Sequence, residues 1–175
     1  MKTKKDNYKT ISFAASILRI CVCALALQLT LTNTASAKSI NPVKQKGFVK
    51  DIEALAIKNN DFRQVLYTTK NLQLVLMSLK PKESIGAETH QNVDQFFRVE
   101  EGSGELVLNG VRTAIKAGFA IIIPRGSNHN IINTGNVPLK LYTIYVPPNH
   151  RDGVVHHTRK DAEVDNEHFD GKTTE

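Results

Sequence analysis

Tryptophan is absent from this 175-residue chain, and cysteine occurs only as Cys21 and Cys23, close to the N-terminus. Everything after Cys23 therefore lacks a thiol, which excludes a disulfide framework, a cysteine-ligated zinc site and a cysteine nucleophile from the body of the chain. Glycine and proline number only 10 and 6, too few for a collagen-like or Pro/Gly-rich low-complexity polymer. No apolar run is long enough for a clean membrane span. Residues 20–31 carry no charge, but extending the run back to Ile11 encloses Arg19, whereas a bilayer-crossing helix needs roughly 20 apolar residues and tolerates a central arginine poorly. Nucleophile elbows, phosphate-binding glycine loops and dinucleotide fingerprints are missing too, which removes the common motif-borne routes to hydrolase, kinase and nicotinamide chemistry.

The N-terminus carries the features of an export leader. Lys2, Lys4, Lys5, Lys9 and Arg19 precede the uncharged stretch 20–31, and Ala35-Ser36-Ala37 supplies the small-x-small pattern that signal peptidase accepts. These features predict a signal peptide over 1–37, cleavage between Ala37 and Lys38, and a periplasmic or secreted mature protein that the membrane does not hold. An uncleaved anchor is the competing reading, favoured by the length of the basic region. Losing residues 1–37 removes five of the 23 Lys and Arg and one of the 17 Asp and Glu, so the formal net charge falls from +6 to +2. The pI of about 9.3 thus belongs largely to the leader, and it gives no argument for a nucleic-acid partner. At the other end, 160–175 is dominated by Asp, Glu, Asn, His and Lys, with Phe169 the only large apolar residue after Val164. Such a composition predicts a polar C-terminal tail over 151–175, ordered only if Phe169 finds a pocket.

Between these ends the hydrophobic pattern is mostly strand-like. Ile52, Leu55 and Ala56 recur at helical spacing within 49–58 before Asn59-Asn60-Asp61 breaks the run, predicting one short helix in an N-terminal segment, 38–60. Candidate strands follow at 63–68, 72–79, 95–100, 105–108, 112–116, 120–123, 128–132 and 139–146, separated by turn residues. Asn109-Gly110 is the sharpest turn signal, because a two-residue type I′ hairpin needs positive φ at both positions. Many short strands at this spacing predict an all-β sandwich or closed barrel over 61–150. Period-two alternation puts Gln95, Phe97 and Val99 on one face of their strand and Phe96, Arg98 and Glu100 on the other.

The order of turns and polar residues resembles the cupin family. Its second motif has the form G-x5-P-x-G-x2-H-x3-N, and Gly118, Pro124, Gly126, His129 and Asn133 occupy every fixed position. The first motif, G-x5-H-x-H-x3-4-E-x6-G, matches in part: anchored on Gly102, it places Gln95 at the family's Glu, His90 at its second His, Glu88 at its first His and Lys82 at its opening Gly. The stretch from Asp61 to Glu175 is also similar to small single-domain bacterial cupins often labelled mannose-6-phosphate isomerase-like, through Val93-Asp94-Gln95-Phe96-Phe97-Arg98, Leu139-Lys140-Leu141-Tyr142-Thr143-Ile144-Tyr145 and His168-Phe169-Asp170-Gly171-Lys172.

The resemblance implies a single cupin-type β-barrel, a double-stranded β-helix or jelly roll, preceded by the short helix. It also implies a divalent metal (Mn, Fe, Co, Ni or Zn) held in the barrel mouth by Glu88, His90, Gln95 and His129. Two neutral imidazoles, one carboxylate and one amide sum to the same formal −1 as the family's three imidazoles and one carboxylate. The alternative is a metal-free barrel in which His90 and His129 bond to Gln95 and water. Three functions fit: a metal-dependent, sugar or sugar-phosphate isomerase-like enzyme on a small polar molecule, a non-catalytic ligand-binding cupin, or a metal-dependent dioxygenase. Pairing of such barrels, with Phe96 facing away from the pocket, implies a homodimer. His150, His156 and His157 follow Pro147-Pro148 and serve either as acids and bases at the mouth or as exposed loop residues. Asp94 is expected outside in a turn role, and Tyr142 and Tyr145 as packing residues.

Overall fold

A computed structural model describes residues 46–175; the expected leader 1–37 and its cleavage point lie outside the described residues. Asp51 starts α1 (Ile52–Lys58) by accepting a hydrogen bond from the Ala54 N–H at 3.0 Å, which ends the helix pattern three residues short of Val49. Ten strands follow, with all pairings antiparallel. They are β1 (Arg63–Thr68), β2 (Gln73–Leu79), β3 (Glu88–Thr89), β4 (Asp94–Glu101), β5 (Ser103–Leu108), β6 (Val111–Lys116), β7 (Ala120–Ile123), β8 (Asn128–Ile132), β9 (Leu139–Val146) and β10 (Val155–His156). A second helix, α2 (Arg159–Val164), comes last.

The strands form a six-stranded sheet in the order β10-β1-β2-β9-β4-β7 and a four-stranded sheet in the order β3-β8-β5-β6. Sequence neighbours such as β2 and β3 lie in different sheets, which is the crossing pattern of a jelly roll. The core fills the space between the sheets. Val75, Met77, Leu79, Phe97, Val99, Leu139 and Leu141 of the larger sheet face Leu106, Ile115 and Ile131 of the smaller one. Each large apolar side chain buried there contributes about 1.5–3 kcal/mol. On β4 the alternation holds, with Gln95, Phe97 and Val99 buried and Phe96, Arg98 and Glu100 only partly covered. Asn109 and Gly110 take φ of 48° and 84° between β5 and β6, as the hairpin requires.

Helix α1 lies on the outer face of the larger sheet, over Leu76 and Lys140, both buried although they point away from the core. The Lys140 Nζ donates to the Asn59 carbonyl and, at 3.0 Å, to Asn60 Oδ1 at the end of that helix. Among the described residues no helix is long and apolar enough to cross a membrane.

The C-terminal segment is more structured than its composition suggests. Thr158 and Asp161 form a reciprocal capping box at the start of α2. The Thr174 N–H donates to the Thr68 carbonyl at 3.0 Å, and the Thr174 hydroxyl donates to Asp152 Oδ1 at 2.7 Å. Phe169 is only half-buried; within 160–175 the buried residue is Glu167.

Candidate metal centre

Four elements deliver the site. Glu88 on β3 and His129 on β8 are cross-strand partners, His90 lies in the loop just after β3, and Gln95 sits near the start of β4. The turn Pro124-Arg125-Gly126 links them. Gly126 has a φ of 78°, the left-handed region that favours glycine. Its N–H donates to the His90 carbonyl at 2.8 Å, while the Ser127 N–H donates to the Pro124 carbonyl at 3.1 Å. Asp94 Oδ1 accepts the Arg125 backbone N–H at 2.9 Å, and its carboxylate also holds the Arg125 guanidinium. Asp94 therefore faces outward and braces the turn. Lys82, at the motif's opening-glycine position, adopts a φ of 70°, so the backbone keeps the shape that glycine would have made easier.

Glu88 Oε1 lies 3.4 Å from His90 Nε2 and 3.4 Å from His129 Nε2. One ligand atom from each of Glu88, His90 and His129 can be chosen so that all lie within 4.8 Å of one another. Gln95 completes the group: its Oε1 is 3.1 Å from His129 Nε2, and its amide nitrogen donates to Thr143 Oγ1 at 3.1 Å. Burial pushes the Glu88 carboxyl up, but the His129 and His90 imidazoles beside it outweigh this and hold it at about 2. It is thus ionised near neutrality, as a metal ligand must be.

The donor set fits a divalent cation. Two imidazoles, a carboxylate and an amide oxygen suit Mn, Fe, Co, Ni or Zn. His90 Nε2 is buried without a hydrogen-bond partner while facing the Glu88 carboxylate, and such an orphan costs stability unless something else binds it. The structure brings together all four residues that the motif alignment singled out.

Tyr145 packs in the core, as expected, and it also borders the site: it is the cross-strand partner of Gln95, and its ring meets His90 edge-on at 5.8 Å. Burial first, and then the Glu88 charge, push its phenol up, so it stays protonated. The strand 139–146 already contained the signal, since alternation from Leu139 and Leu141 puts Thr143 and Tyr145 on the inner face. Tyr142 does lie outside, tilted against Phe96 at 6.1 Å. Of the three loop histidines only His157 is exposed, paired with Asp61. His150 and His156 are buried, because the C-terminal segment folds over them and supplies Glu167 and Asp165 as partners.

A jelly roll of two antiparallel sheets, with two imidazoles and a carboxylate gathered in it, defines a class of small barrel-like β proteins with a candidate metal site. Residues 75–145 match the family described as Cupin domain, and the chain belongs to the cupin family. It is 47% identical over 123 residues to the uncharacterised protein YrkC of Bacillus subtilis, a match covering 67% of this chain and 66%, just under two thirds, of that protein. It is 42% identical over 113 residues to the uncharacterised protein L612 of Acanthamoeba polyphaga mimivirus, covering 62% of this chain and 70% of the relative. Among solved structures, that of BH2720 from Bacillus halodurans superposes with a TM-score of 0.68 at 42% identity, covering 70% of this chain and 97% of the other.

Proposed function

We propose that this cupin holds one divalent metal ion through Glu88, His90 and His129, with Gln95 as the fourth donor, and acts on a small polar, oxygen-rich molecule in the barrel mouth. The observation that carries this reading is the convergence of the Glu88, His90 and His129 ligand atoms within 4.8 Å. A bound ion would act there as a Lewis acid on a hydroxyl or carbonyl oxygen. Tyr145, kept protonated beside Gln95 and Glu88, supplies an O–H donor on the same side. Together these groups support an isomerase-like reaction on a sugar or sugar phosphate. Elemental analysis of the purified protein, followed by a thermal-shift screen of sugars and sugar phosphates with and without divalent ions, tests the reading. Stabilisation that requires both ion and ligand is the expected result, and a ligand that binds equally well without any ion points to a non-catalytic binding cupin.

The donor count also supports a second reading. Two histidines and one carboxylate are the set used by non-haem iron oxygenases, and Gln95 is already engaged with Thr143 and His129. Selective retention of iron and oxygen uptake by the iron-loaded protein would favour this alternative. We further propose that the leader exports the protein to the periplasm or beyond, and that the mature barrel pairs as a homodimer.

A further inference from the structure

Behind the ligand set runs a line of contacts that metal ligation does not explain. The Tyr145 ring, which meets His90, also meets His150 at 5.0 Å and an interplanar angle of 89°. His150 Nδ1 lies 2.6 Å from Glu167 Oε1, and Glu167 Oε2 accepts the Arg151 backbone N–H at 2.7 Å. Gln73 grips the backbone of the same histidine, donating to the His150 carbonyl at 2.7 Å and accepting its N–H at 2.9 Å. Arg63 stands 3.9 Å from Glu167, beyond hydrogen-bonding range.

The protonation states follow from the surroundings. Burial pushes His150 down despite its bond to Glu167. Burial alone would raise Glu167, but His150, the Arg151 N–H and Arg63 hold it at about 2. The pair is therefore an ionised carboxylate bonded to a neutral imidazole, which sets the hydrogen on Nδ1 and leaves Nε2 as an acceptor, 3.4 Å from the Asn149 side-chain nitrogen. A carboxylate behind a histidine in this way fixes both the tautomer and the ring orientation. Filling space does not call for it, since apolar side chains of similar volume do so without desolvating a charge. Glu167 arrives from the segment beyond α2, so that segment reaches back to the barrel mouth.

We propose that Glu167 and His150 are positioning residues of the metal site: they lock Tyr145 in place so that its phenol donates a hydrogen bond to an oxygen, hydroxyl or carbonyl, of the small molecule bound there. The inference rests on the metal reading above. The full chain is loaded with Co(II) and its visible absorption bands are recorded, while the His150 ring nitrogens are read by 15N NMR in the metal-free protein. Glu167→Gln should keep wild-type Co(II) stoichiometry, shift the bands, and lose the single Nδ1–H tautomer of His150. Tyr145→Phe, a milder change, should keep the ion and shift the bands as well. Thr174→Val loosens the same segment away from His150, and should lower the melting temperature with the bands unmoved. Full Co(II) content with wild-type bands in Glu167→Gln or Tyr145→Phe, or an equal band shift in Thr174→Val, overturns the proposal. A wild-type chain that takes up no Co(II) overturns the metal reading itself, and the positioning role with it.

Discussion

Gln95 Oε1 sits 3.1 Å from His129 Nε2, and the same amide donates from its nitrogen to Thr143 at 3.1 Å. Thr143 is fully buried, and its hydroxyl holds the amide nitrogen on the side away from His129, which turns the amide oxygen to the ligand set. His129→Ala should therefore reduce the bound divalent metal to less than about a tenth of wild type, whereas Gln95→Glu should tighten it about tenfold, near 1.4 kcal/mol, by adding a charge beside the ion. His156→Ala should retain wild-type metal. Elemental analysis after dialysis against equal free Mn(II) measures all three. Equal metal in wild type and His129→Ala would refute the site.

Asn133 shows what the end of the second motif does physically. Its side chain is fully buried. It donates to the Leu79 and Val137 carbonyls at 2.9 and 2.8 Å and accepts the Gly135 N–H at 2.9 Å. Asn133→Ala strands two carbonyls and one N–H, and should cost about 2–4 kcal/mol by urea unfolding. Metal content per folded molecule should not change. A loss of metal without a loss of stability would contradict this division of labour.

Legibility followed the length of each element. Strands β1, β7, β8 and β9 have the bounds that their apolar runs suggested, and the Asn109-Gly110 hairpin forms as its chemistry demands. Strands β3 and β10 contain two residues each, too few to show any period. Glu88 and His90 were readable through motif spacing alone. Tyr145 was readable from alternation but looked like packing, because aromatic residues on inner faces usually are. Glu167 had no local signal, since its partner His150 is 17 residues away and a charged residue in a polar stretch reads as solvated.

Acid should loosen the C-terminal segment in two stages. His150, held below its usual 6.5 by burial, contributes stability that is present above that value and is lost as pH falls through its folded pKa. Glu167, held at about 2 against a usual 4.5, contributes stability present above 4.5 and lost as pH falls towards 2. The charged neighbours in play are Arg63 and, more distantly, Glu88. Stability measured between pH 7 and 3 should fall more steeply for wild type than for Glu167→Gln, and comparing the two removes the contribution of Glu88. Parallel curves would show that Glu167 is not anchored as described.

Edman sequencing of protein recovered from its native host should begin at Lys38, as the basic region, apolar stretch and Ala35-Ser36-Ala37 predict. A membrane-held product that begins at Met1 would rule for the uncleaved anchor.

The outer face of the larger sheet bears on how the barrel meets a second copy of itself. Helix α1 covers the part that contains Leu76 and Lys140. Beyond it, Phe96, Ile122, Ile144 and Val146 line one shallow apolar depression, with Ile122 70% exposed and Val146 41% exposed. Side chains of this size grouped on one face lose water favourably on association, at roughly 25 cal/mol for each Å² of apolar surface covered. A homodimer through this face should therefore appear by light scattering at micromolar concentration. Ile122→Asp would bury an unpaired carboxylate at the contact, and should weaken the dimer at least about a hundredfold while leaving the metal content of each chain intact. A wild-type chain that scatters as a monomer throughout this range, or an Ile122→Asp variant that still pairs, would show that this face is not the one the dimer uses.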